Sequence, residues 1–255
     1  MSDPQGIRGP MADLYDVFVD WKGRLGREMP GLLGALRGAG AQRVLDVGCG
    51  TGQHVAALLA EGLDAHGADT SAEMLARAEA LLGSDTRLHH WRLGDDPPDS
   101  VVEAAPYDAI ISLGNVWPQL IEAGDVGRSL EAFVRLLRPG GLVLVGLKAF
   151  AVRRDAGNPY LPLLARQHAG ERLFFVRFID FGESQTNLAG FHMLVVRENG
   201  ETAHHRTGRV RVWSPADLER AFAAAGLVSV AVSARLDDPS APPKTEDVFV
   251  HAKTP

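Results

Sequence analysis

A glycine-rich loop is the part of the sequence best suited to binding a small ligand. Residues 44–52 read VLDVGCGTG, so Gly48, Gly50 and Gly52 lie between a predicted strand and a predicted helix. Glycines allow the backbone to turn sharply and to approach a ligand closely. The free N–H groups at the start of a helix attract a carboxylate or a phosphate. The dinucleotide fingerprint would need a sixth-position glycine at Gln53, which argues against NAD or NADP.

Two carboxylates accompany this loop. Asp69 ends the second predicted strand, where a carboxylate can accept hydrogen bonds from both hydroxyls of a ribose. Asp46 lies within the end of the first strand, and burying it there would be costly without partners. We expect those partners to be N–H groups of the loop and an ammonium group of the ligand. The two carboxylates therefore predict a ribose-containing ligand.

The surrounding pattern predicts the elements that position these residues. Apolar residues at helical spacing predict a helix over residues 11–37, after a polar tail over residues 1–10. Strands are predicted at 43–47, 64–68, 87–93, 107–113 and 142–147, and helices at 52–61, 72–82 and 126–137 separate most of them. The capping-box spacing from Thr70 to Glu73 opens the second of these helices. Because parallel strands need crossover connections, this alternation predicts a parallel α/β sheet.

The pattern changes after the fifth strand. Residues 153–166 are predicted to be irregular, and residues 172–179, 188–197 and 204–213 are predicted to be antiparallel strands. Asn199-Gly200 is a strong hairpin signal between the last two. Ser214 and Pro215 begin a helix that ends at Gly226, and strands at 228–234 and 246–252 close the chain.

The loop, the carboxylate and a later turn carry a family resemblance. The segment 46–52, with Asp69 and the turn Pro139-Gly140-Gly141, resembles class I S-adenosylmethionine-dependent methyltransferases over roughly residues 15–147. Within that class the chain is similar to the glycine/sarcosine N-methyltransferase group. This narrower resemblance rests on Leu113-Gly114-Asn115, on His90-Trp91 and on the strand-rich insertion. It implies a Rossmann-like, doubly wound, mostly parallel seven-stranded sheet with a small antiparallel insertion after the fifth strand.

The resemblance also implies roles for individual residues. The cofactor S-adenosylmethionine, released as S-adenosylhomocysteine, would contact a set of residues in the first half of the chain: Tyr15, Trp21, Arg24, Asp46, Gly48, Gly50, Asp69, Thr70, Met74, His90, Trp91 and Leu113. Arg24 is the candidate for binding the methionine carboxylate, and Arg27 is the alternative. Asn115 would be the catalytic residue, and Asn115, Trp117 and Lys148 would contact the methyl acceptor.

One position departs from the glycine enzymes. Lys148 falls near the place where those enzymes have an arginine that binds the carboxylate of the acceptor. Lysine does not replace arginine at a bidentate site. A glycine-like acceptor is therefore in doubt, although Arg153 or Arg177 could take over the role.

Composition excludes several other functions. The 255-residue chain has a formal net charge of −6 and no dense basic cluster, so a nucleic-acid partner is not expected. No apolar run is long enough to span a membrane, and a single cysteine fits a reducing compartment. We therefore expect a cytoplasmic protein, with homo-oligomerisation left open. Adjacent histidines at 89–90 and 204–205 point to opposite faces of a strand, so no metal site is predicted.

These observations predict a domain organisation and an activity. Residues 1–37 would form a tail and a helical cap, residues 38–150 and 214–255 the cofactor-binding domain, and residues 151–213 an insertion that covers the acceptor side. The chain is expected to methylate a small molecule, with an amine as the acceptor because no general base is evident. O-methylation, a nucleotide-dependent oxidoreductase and a non-catalytic cofactor-binding protein are the alternatives.

Overall fold

The computed structural model describes residues 10–83, 87–182, 187–243 and 245–255. Most of the predicted N-terminal tail, residues 1–9, lies outside the described residues. No helix in the described ranges combines the length and the apolar character needed to cross a lipid bilayer.

A seven-stranded sheet forms the centre of the molecule. Its strands are β1 (Arg43–Val47), β2 (Asp64–Asp69), β3 (Leu88–His90), β4 (Tyr107–Ser112), β5 (Leu137–Lys148), β10 (Val228–Ser233) and β11 (Asp247–Lys253). They are arranged in the order β3-β2-β1-β4-β5-β11-β10. The first five run parallel, and β11 pairs antiparallel with both β5 and β10. The predicted Rossmann-like, mostly parallel sheet is confirmed.

Helices cover both faces of this sheet, because alternate residues of each central strand are buried on opposite sides. On one face Leu45 and Val47 pack with Phe133 of α6 (Asp125–Leu136) and Phe222 of α8 (Pro215–Ala224). On the other face Val44 packs with residues of α2 (Trp21–Gly38) and α3 (Gln53–Ala60). The remaining helices beside this sheet are α4 (Ala72–Leu82) and α5 (Asp99–Glu103). Burial on both faces explains why the central strands read as continuous apolar runs.

A second, antiparallel sheet follows β5 and a short helix, α7 (Ala151–Asp155). Its strands are β6 (Leu164–His168), β7 (Glu171–Asp180), β8 (Leu188–Arg197) and β9 (Thr202–Arg211), in the order β6-β7-β8-β9. The turn at Asn199-Gly200 joins β8 to β9, as its sequence predicts.

The structure corrects three local predictions. The helix predicted over 11–37 is interrupted, because the Asp20 carboxylate accepts a hydrogen bond from Gly23 N at 3.0 Å and starts α2 after α1 (Pro10–Phe18). Ser71, and not Thr70, caps α4 through the amide of Met74 at 3.3 Å. The segment predicted to be irregular contains α7 and β6, an edge strand with few apolar residues that is held by pairing with β7.

A buried carboxylate ties the loop after β3 to α6. Asp125 is 1% exposed, and its two oxygens each lie 2.6 Å from a guanidinium nitrogen, one of Arg92 and one of Arg128. The Nε of Arg128 also donates to the carbonyl of Gly94 at 2.6 Å. Arg92 and Gly94 follow Trp91 closely in the sequence. The ion-pair network therefore fixes the loop that carries Trp91.

Removing the buried charge should destabilise the fold. We expect Asp125→Asn to lower the free energy of unfolding by roughly 2–4 kcal/mol, because two guanidinium groups lose their shared partner. Asp96, which pairs with Arg135 and is 94% exposed, provides the matched control. Asp96→Asn should change stability by less than about 0.5 kcal/mol. Urea denaturation measures both variants, and equal effects would contradict this interpretation of the network.

Candidate functional site

A cavity of about 1080 Å³ opens at the carboxyl ends of the parallel strands. Pockets that hold a small ligand typically measure about 300–1,000 Å³, so this volume lies at the upper end of that range. The central sheet contributes the ends of β1, β2, β4 and β5. Helices α1 and α2 and one face of the antiparallel sheet form the opposite walls. Ligands of open α/β sheets bind at this edge.

The glycine-rich loop forms the floor of the cavity. Gly48 has a φ of 82° and Gly50 a φ of 57°, a region of backbone conformation that favours glycine. A Cβ on Gly48 would also lie 2.4 Å from Val116. The amides of Gly48 and Cys49 both donate to the carbonyl of Ala68, at 2.7 and 3.0 Å, which ties the loop to the end of β2.

Asp69 joins this loop to the start of α4. Its carboxylate accepts hydrogen bonds from the amide of Gly50 at 2.9 Å and from the amide of Ser71 at 2.8 Å. Burial raises the pKa of Asp69 above its usual value. The carboxylate lines the cavity together with Thr70, Met74 and Trp91. Each oxygen still has capacity for a further hydrogen bond, which is the arrangement that binding a ribose needs.

Asp46 lies directly beneath the loop and is 2% exposed. Its Oδ1 has no hydrogen-bond partner among the described residues. Burial raises its pKa to about 6, although His54 and Arg24 act in the opposite direction. Asp46 is not part of the cavity wall. The sequence predicted that N–H groups of the loop would bind this carboxylate, but the buried Oδ1 accepts no hydrogen bond from them. A cationic group bound above Asp46 would be attracted to its negative charge.

The N-terminal helices close one side of the cavity. Asp16 of α1 accepts hydrogen bonds from Thr51 Oγ1 at 2.9 Å and from Trp21 Nε1 at 2.7 Å, which fastens both helices to the glycine-rich loop. The ring of Tyr15 faces Gly50, where a Cβ would lie 3.7 Å from it. Trp21 packs 6.2 Å from Tyr15 between ring centroids and does not reach the cavity wall.

Arg24 and Arg27, the two candidates for binding a carboxylate, both line the cavity. Arg24 lies against Gly114, where a Cβ would be 3.0 Å from the guanidinium, and it pairs with Glu28 at 3.0 Å. Arg27 is exposed. Because Arg24 is the one held against the carboxyl end of β4, it is the better placed of the two.

Asn115 and Lys148 lie together where β4 and β5 end at the cavity. Asn115 has a φ of 75°, and its Oδ1 accepts a hydrogen bond from the backbone amide of Lys148 at 3.0 Å. The amide nitrogen of the Asn115 side chain is therefore left to donate toward the cavity. Lys148 Nζ lies 2.6 Å from Asp247 and 3.5 Å from Glu246. Two carboxylates thus already neutralise the lysine that would replace the arginine of the glycine enzymes.

Two other predicted residues lie away from the cavity wall. Trp117 is fully buried and packs against Phe133 and Phe222, so its position does not match the predicted contact with the acceptor. His90 is exposed, and its Nε2 lies 3.0 Å from the carbonyl of Thr70. Leu113 does line the cavity. His90 ends β3 and Trp117 begins a short helical turn. Neighbouring residues in such segments point in different directions, and the sequence alone did not reveal which of them faces the cavity.

Sequence reasoning missed most of the wall that the antiparallel sheet provides. Side chains of alternate residues on β6 to β9 face the cavity, namely Leu164, Arg166, Arg177, Phe191, Met193, Arg206 and Val210. Phe18 of α1 joins them. The signal that could have found them is the period of two in the predicted strands. Among the described residues, no three His, Cys, Asp or Glu side chains are grouped to hold a metal ion.

Known proteins resemble the chain in sequence and fold. Residues 45–143 match a family described as a methyltransferase domain. A glycine/sarcosine N-methyltransferase of Halorhodospira halochloris is 36% identical over 57% of the chain, which spans only 54% of that relative. The dTDP-3-amino-3,6-dideoxy-alpha-D-glucopyranose N,N-dimethyltransferase of Streptomyces fradiae is 28% identical over 86% of the chain and 84% of its own length.

Solved structures extend the likeness to the whole chain. The structure of CalS10, a SAM-bound amino pentose methyltransferase of Micromonospora echinaspora, covers 100% of both chains with a TM-score of 0.70 and 20% identity. The family match thus confirms a methyltransferase domain over residues 45–143. The solved structure confirms the predicted fold over the whole chain. The chain spans about half the length, or less, of the first curated relatives it matches.

The buried Asp46 carboxylate should make the free energy of unfolding depend on pH. Its folded pKa of about 6 exceeds the ordinary value of 3.8, so ionisation in the folded protein destabilises it as the pH rises through that interval. We expect Asp46→Asn to become more stable relative to the unmodified protein by on the order of 2–3 kcal/mol between pH 4 and pH 7. Urea denaturation at several pH values measures this difference. A difference in the free energy of unfolding that does not change with pH would contradict the raised pKa of Asp46.

Proposed function

We propose that this protein transfers a methyl group from S-adenosylmethionine to the amine of a small-molecule acceptor. The observation that carries the proposal is the convergence of Gly50 and Asp69 at one end of the cavity, with the buried Asp46 carboxylate beneath the loop. No metal is part of the proposal.

The residues of the cavity fit the predicted cofactor by charge and by shape. The Asp69 carboxylate would hold the ribose, and Met74 and Trp91 would pack against the adenine. Asp46 would complement the ammonium group of the methionine part, which accounts for a buried oxygen without a partner. Arg24 would bind the carboxylate of the same part through its guanidinium. Thr70, Gly48 and Leu113 complete the lining on this side.

The task of the protein in such a reaction is mainly to align the reactants. The cofactor, when bound, supplies an electrophilic methyl group with a good leaving group. The chain holds the acceptor in line and excludes water, so proximity and orientation provide most of the acceleration. Phe18, Phe191 and Met193 supply the apolar part of the wall that excludes water. A neutral amine needs no general base in the transfer step itself.

The antiparallel sheet would serve as the cover of the acceptor side. Its cavity-facing side chains lie opposite the carboxyl ends of the parallel strands, which supports the role proposed for residues 151–213. Asn115 would orient the acceptor, because its side-chain oxygen is occupied by the amide of Lys148 while its amide nitrogen remains free to donate. The lone pair of the amine must stay free to attack the methyl group, so this arrangement favours an acceptor with a hydroxyl or another accepting oxygen next to the reacting nitrogen.

The relatives support an amine acceptor. The Halorhodospira and Streptomyces relatives are both named as N-methyltransferases. The Streptomyces match extends over 86% of the chain, which leaves too few residues to omit the whole of residues 151–213. The likeness to an amino-sugar enzyme thus includes part of the segment proposed to cover the acceptor. O-methylation on the same scaffold remains the second candidate.

Cofactor binding is the first test. We expect isothermal titration calorimetry to detect S-adenosylhomocysteine binding to the full chain. Asp69→Asn should weaken it by about tenfold or more, because a charge-assisted hydrogen bond to a ribose hydroxyl is lost. Glu103→Gln, at the end of α5 and outside the cavity, is the control and should bind normally. Failure of the unmodified protein to bind would refute the proposal.

The role of Asn115 needs a variant that preserves the local backbone. Asn115→Asp keeps the oxygen that accepts from Lys148 and tolerates the positive φ, but it removes the side-chain N–H donors. We expect S-adenosylhomocysteine affinity within about threefold of the unmodified protein, and turnover of a responsive amine lowered about tenfold or more. Turnover is measured with labelled cofactor against a panel of amines and their hydroxyl analogues. Unchanged kcat would remove Asn115 from the reaction, and a preference for hydroxyl analogues would favour O-methylation.

A further inference from the structure

Three arginines of the antiparallel sheet face the cavity. The pairing of β7 with β8 sets Arg177 opposite Met193, and the pairing of β8 with β9 sets Met193 opposite Arg206. The two arginines therefore flank Met193 in one row on one face of the sheet, about 10 Å apart at their Cα atoms. Arg166 of β6 pairs with Leu173 of β7, which belongs to the same face. All three arginines line the cavity.

None of these arginines has an acidic partner within the described parts of the chain. Arg166 donates only to the carbonyl of Ala165, at 3.0 Å, and Arg177 only to the carbonyl of Pro162, at 3.0 Å. The Nε atoms of Arg166 and Arg177 are buried without a hydrogen-bond partner. Arg177 also lies over the ring of Phe18, with its Cζ 4.9 Å from the ring centroid.

The lowered pKa values of two of these arginines show that their positive charge is unfavourable in this place. Burial, together with repulsion from Arg153 and Arg166, lowers the pKa of Arg177 to about 10. Burial also lowers the pKa of Arg206. Half-buried cations that repel one another destabilise a fold unless an anion binds to them.

Most other cations near the cavity pair with carboxylates. Arg27 and Arg209, which line the cavity without an ion pair among the described residues, are exposed to solvent. Lys148 pairs with Asp247, and Arg153 pairs with Glu246. On the opposite wall, Arg24 pairs with Glu28 and Arg235 with Asp237. The carboxylates that line the cavity all lie outside the antiparallel sheet, namely Asp20, Glu28, Asp69, Glu122, Asp237 and Asp247. Among the described residues, the wall formed by β6 to β9 is therefore the one with half-buried positive charge that no carboxylate compensates.

We infer that the methyl acceptor carries a phosphate or diphosphate group, and that Arg166, Arg177 and Arg206 bind it. The inference rests on the proposed function only for the statement that the bound molecule is the acceptor. Three guanidinium groups without carboxylate partners match a group of two or three negative charges better than a single carboxylate. The planar donors of arginine also suit the oxygens of a phosphate. The acceptor would be an amine attached to a phosphate ester or to a nucleoside diphosphate.

The test titrates anions into the full chain saturated with S-adenosylhomocysteine. Inorganic pyrophosphate and thymidine 5′-diphosphate are the probes, and malonate is the dicarboxylate control. We expect calorimetry to detect both phosphate probes and to find malonate at least about tenfold weaker. Arg177→Gln and Arg206→Gln should each weaken pyrophosphate binding about tenfold or more, because each removes a charge-assisted hydrogen bond. Arg177→Lys should retain part of the affinity.

Arg172→Gln provides the matched control, since Arg172 is an exposed residue of β7 that alternates to the opposite face from Arg177. It should bind pyrophosphate like the unmodified protein. S-adenosylhomocysteine binding by each variant reports whether that variant is folded. If Arg177→Gln fails to fold, Arg206→Gln carries the test.

The outcomes separate this inference from the proposed function. Absence of binding by both phosphate probes would overturn the inference, as would equal affinity for malonate or unchanged affinity in both glutamine variants. In each of these cases S-adenosylhomocysteine binding would still support the proposed function. A protein that binds pyrophosphate through these arginines but not S-adenosylhomocysteine would keep the anion site and refute the proposed function. Tighter binding of thymidine 5′-diphosphate than of pyrophosphate would identify a nucleotide as the source of the phosphate groups.

Discussion

The site depends on the hydrogen bonds that the Asp69 carboxylate accepts from the amides of Gly50 and Ser71. These two bonds join the loop after β1 to the start of α4, so the ends of two parallel strands form one rigid corner. The same loop donates from Gly48 and Cys49 to the carbonyl of Ala68. A carboxylate that already orders the backbone around it needs little reorganisation to receive two further donors from a ligand. Preorganisation of this kind raises affinity by lowering the cost of binding.

Without a bound ligand, the protein contains buried charges that lack partners, and these charges lower its stability. The Asp46 carboxylate has an oxygen without a partner, and the raised pKa that burial causes is the measure of that cost. Burial likewise disfavours the positive charge of the arginines in the antiparallel sheet, and it lowers the pKa of Arg177. By contrast, Asp125 is as deeply buried as Asp46 but is fully paired with Arg92 and Arg128. Asp125 lies where its pairs hold the fold together, whereas Asp46 lies directly beneath the cavity and Arg177 in its wall, where a ligand can supply the missing partner.

The sequence predicted the central sheet well, because strands buried on both faces, separated by helices with capping residues, leave clear local signals. β1 has the predicted bounds, and helices separate most of the parallel strands as predicted. β6 was missed because its stability comes from pairing with β7 and not from apolar residues of its own. The sequence left open whether Trp117 belongs to the core or to the pocket wall, and packing against Phe133 and Phe222 places it in the core. Local signals predict elements, whereas the direction of a side chain in a loop depends on contacts that are distant in sequence.

The two walls of the cavity differ in how much of their chemistry a sequence motif can reveal. The cofactor side is built from contiguous turns at strand ends, so residue types at fixed spacing predict it. The proposed acceptor side is built from single residues on four different strands, and only the register of β6 to β9 brings Arg166, Arg177 and Arg206 to one face. A change of one residue in the register of β9 would turn Arg206 away from the cavity and bring a neighbour in its place. Selectivity for the acceptor can therefore change through substitutions on this sheet while the glycine-rich loop and Asp69 stay as they are. This separation explains physically how one cofactor-binding scaffold could serve acceptors of different charge.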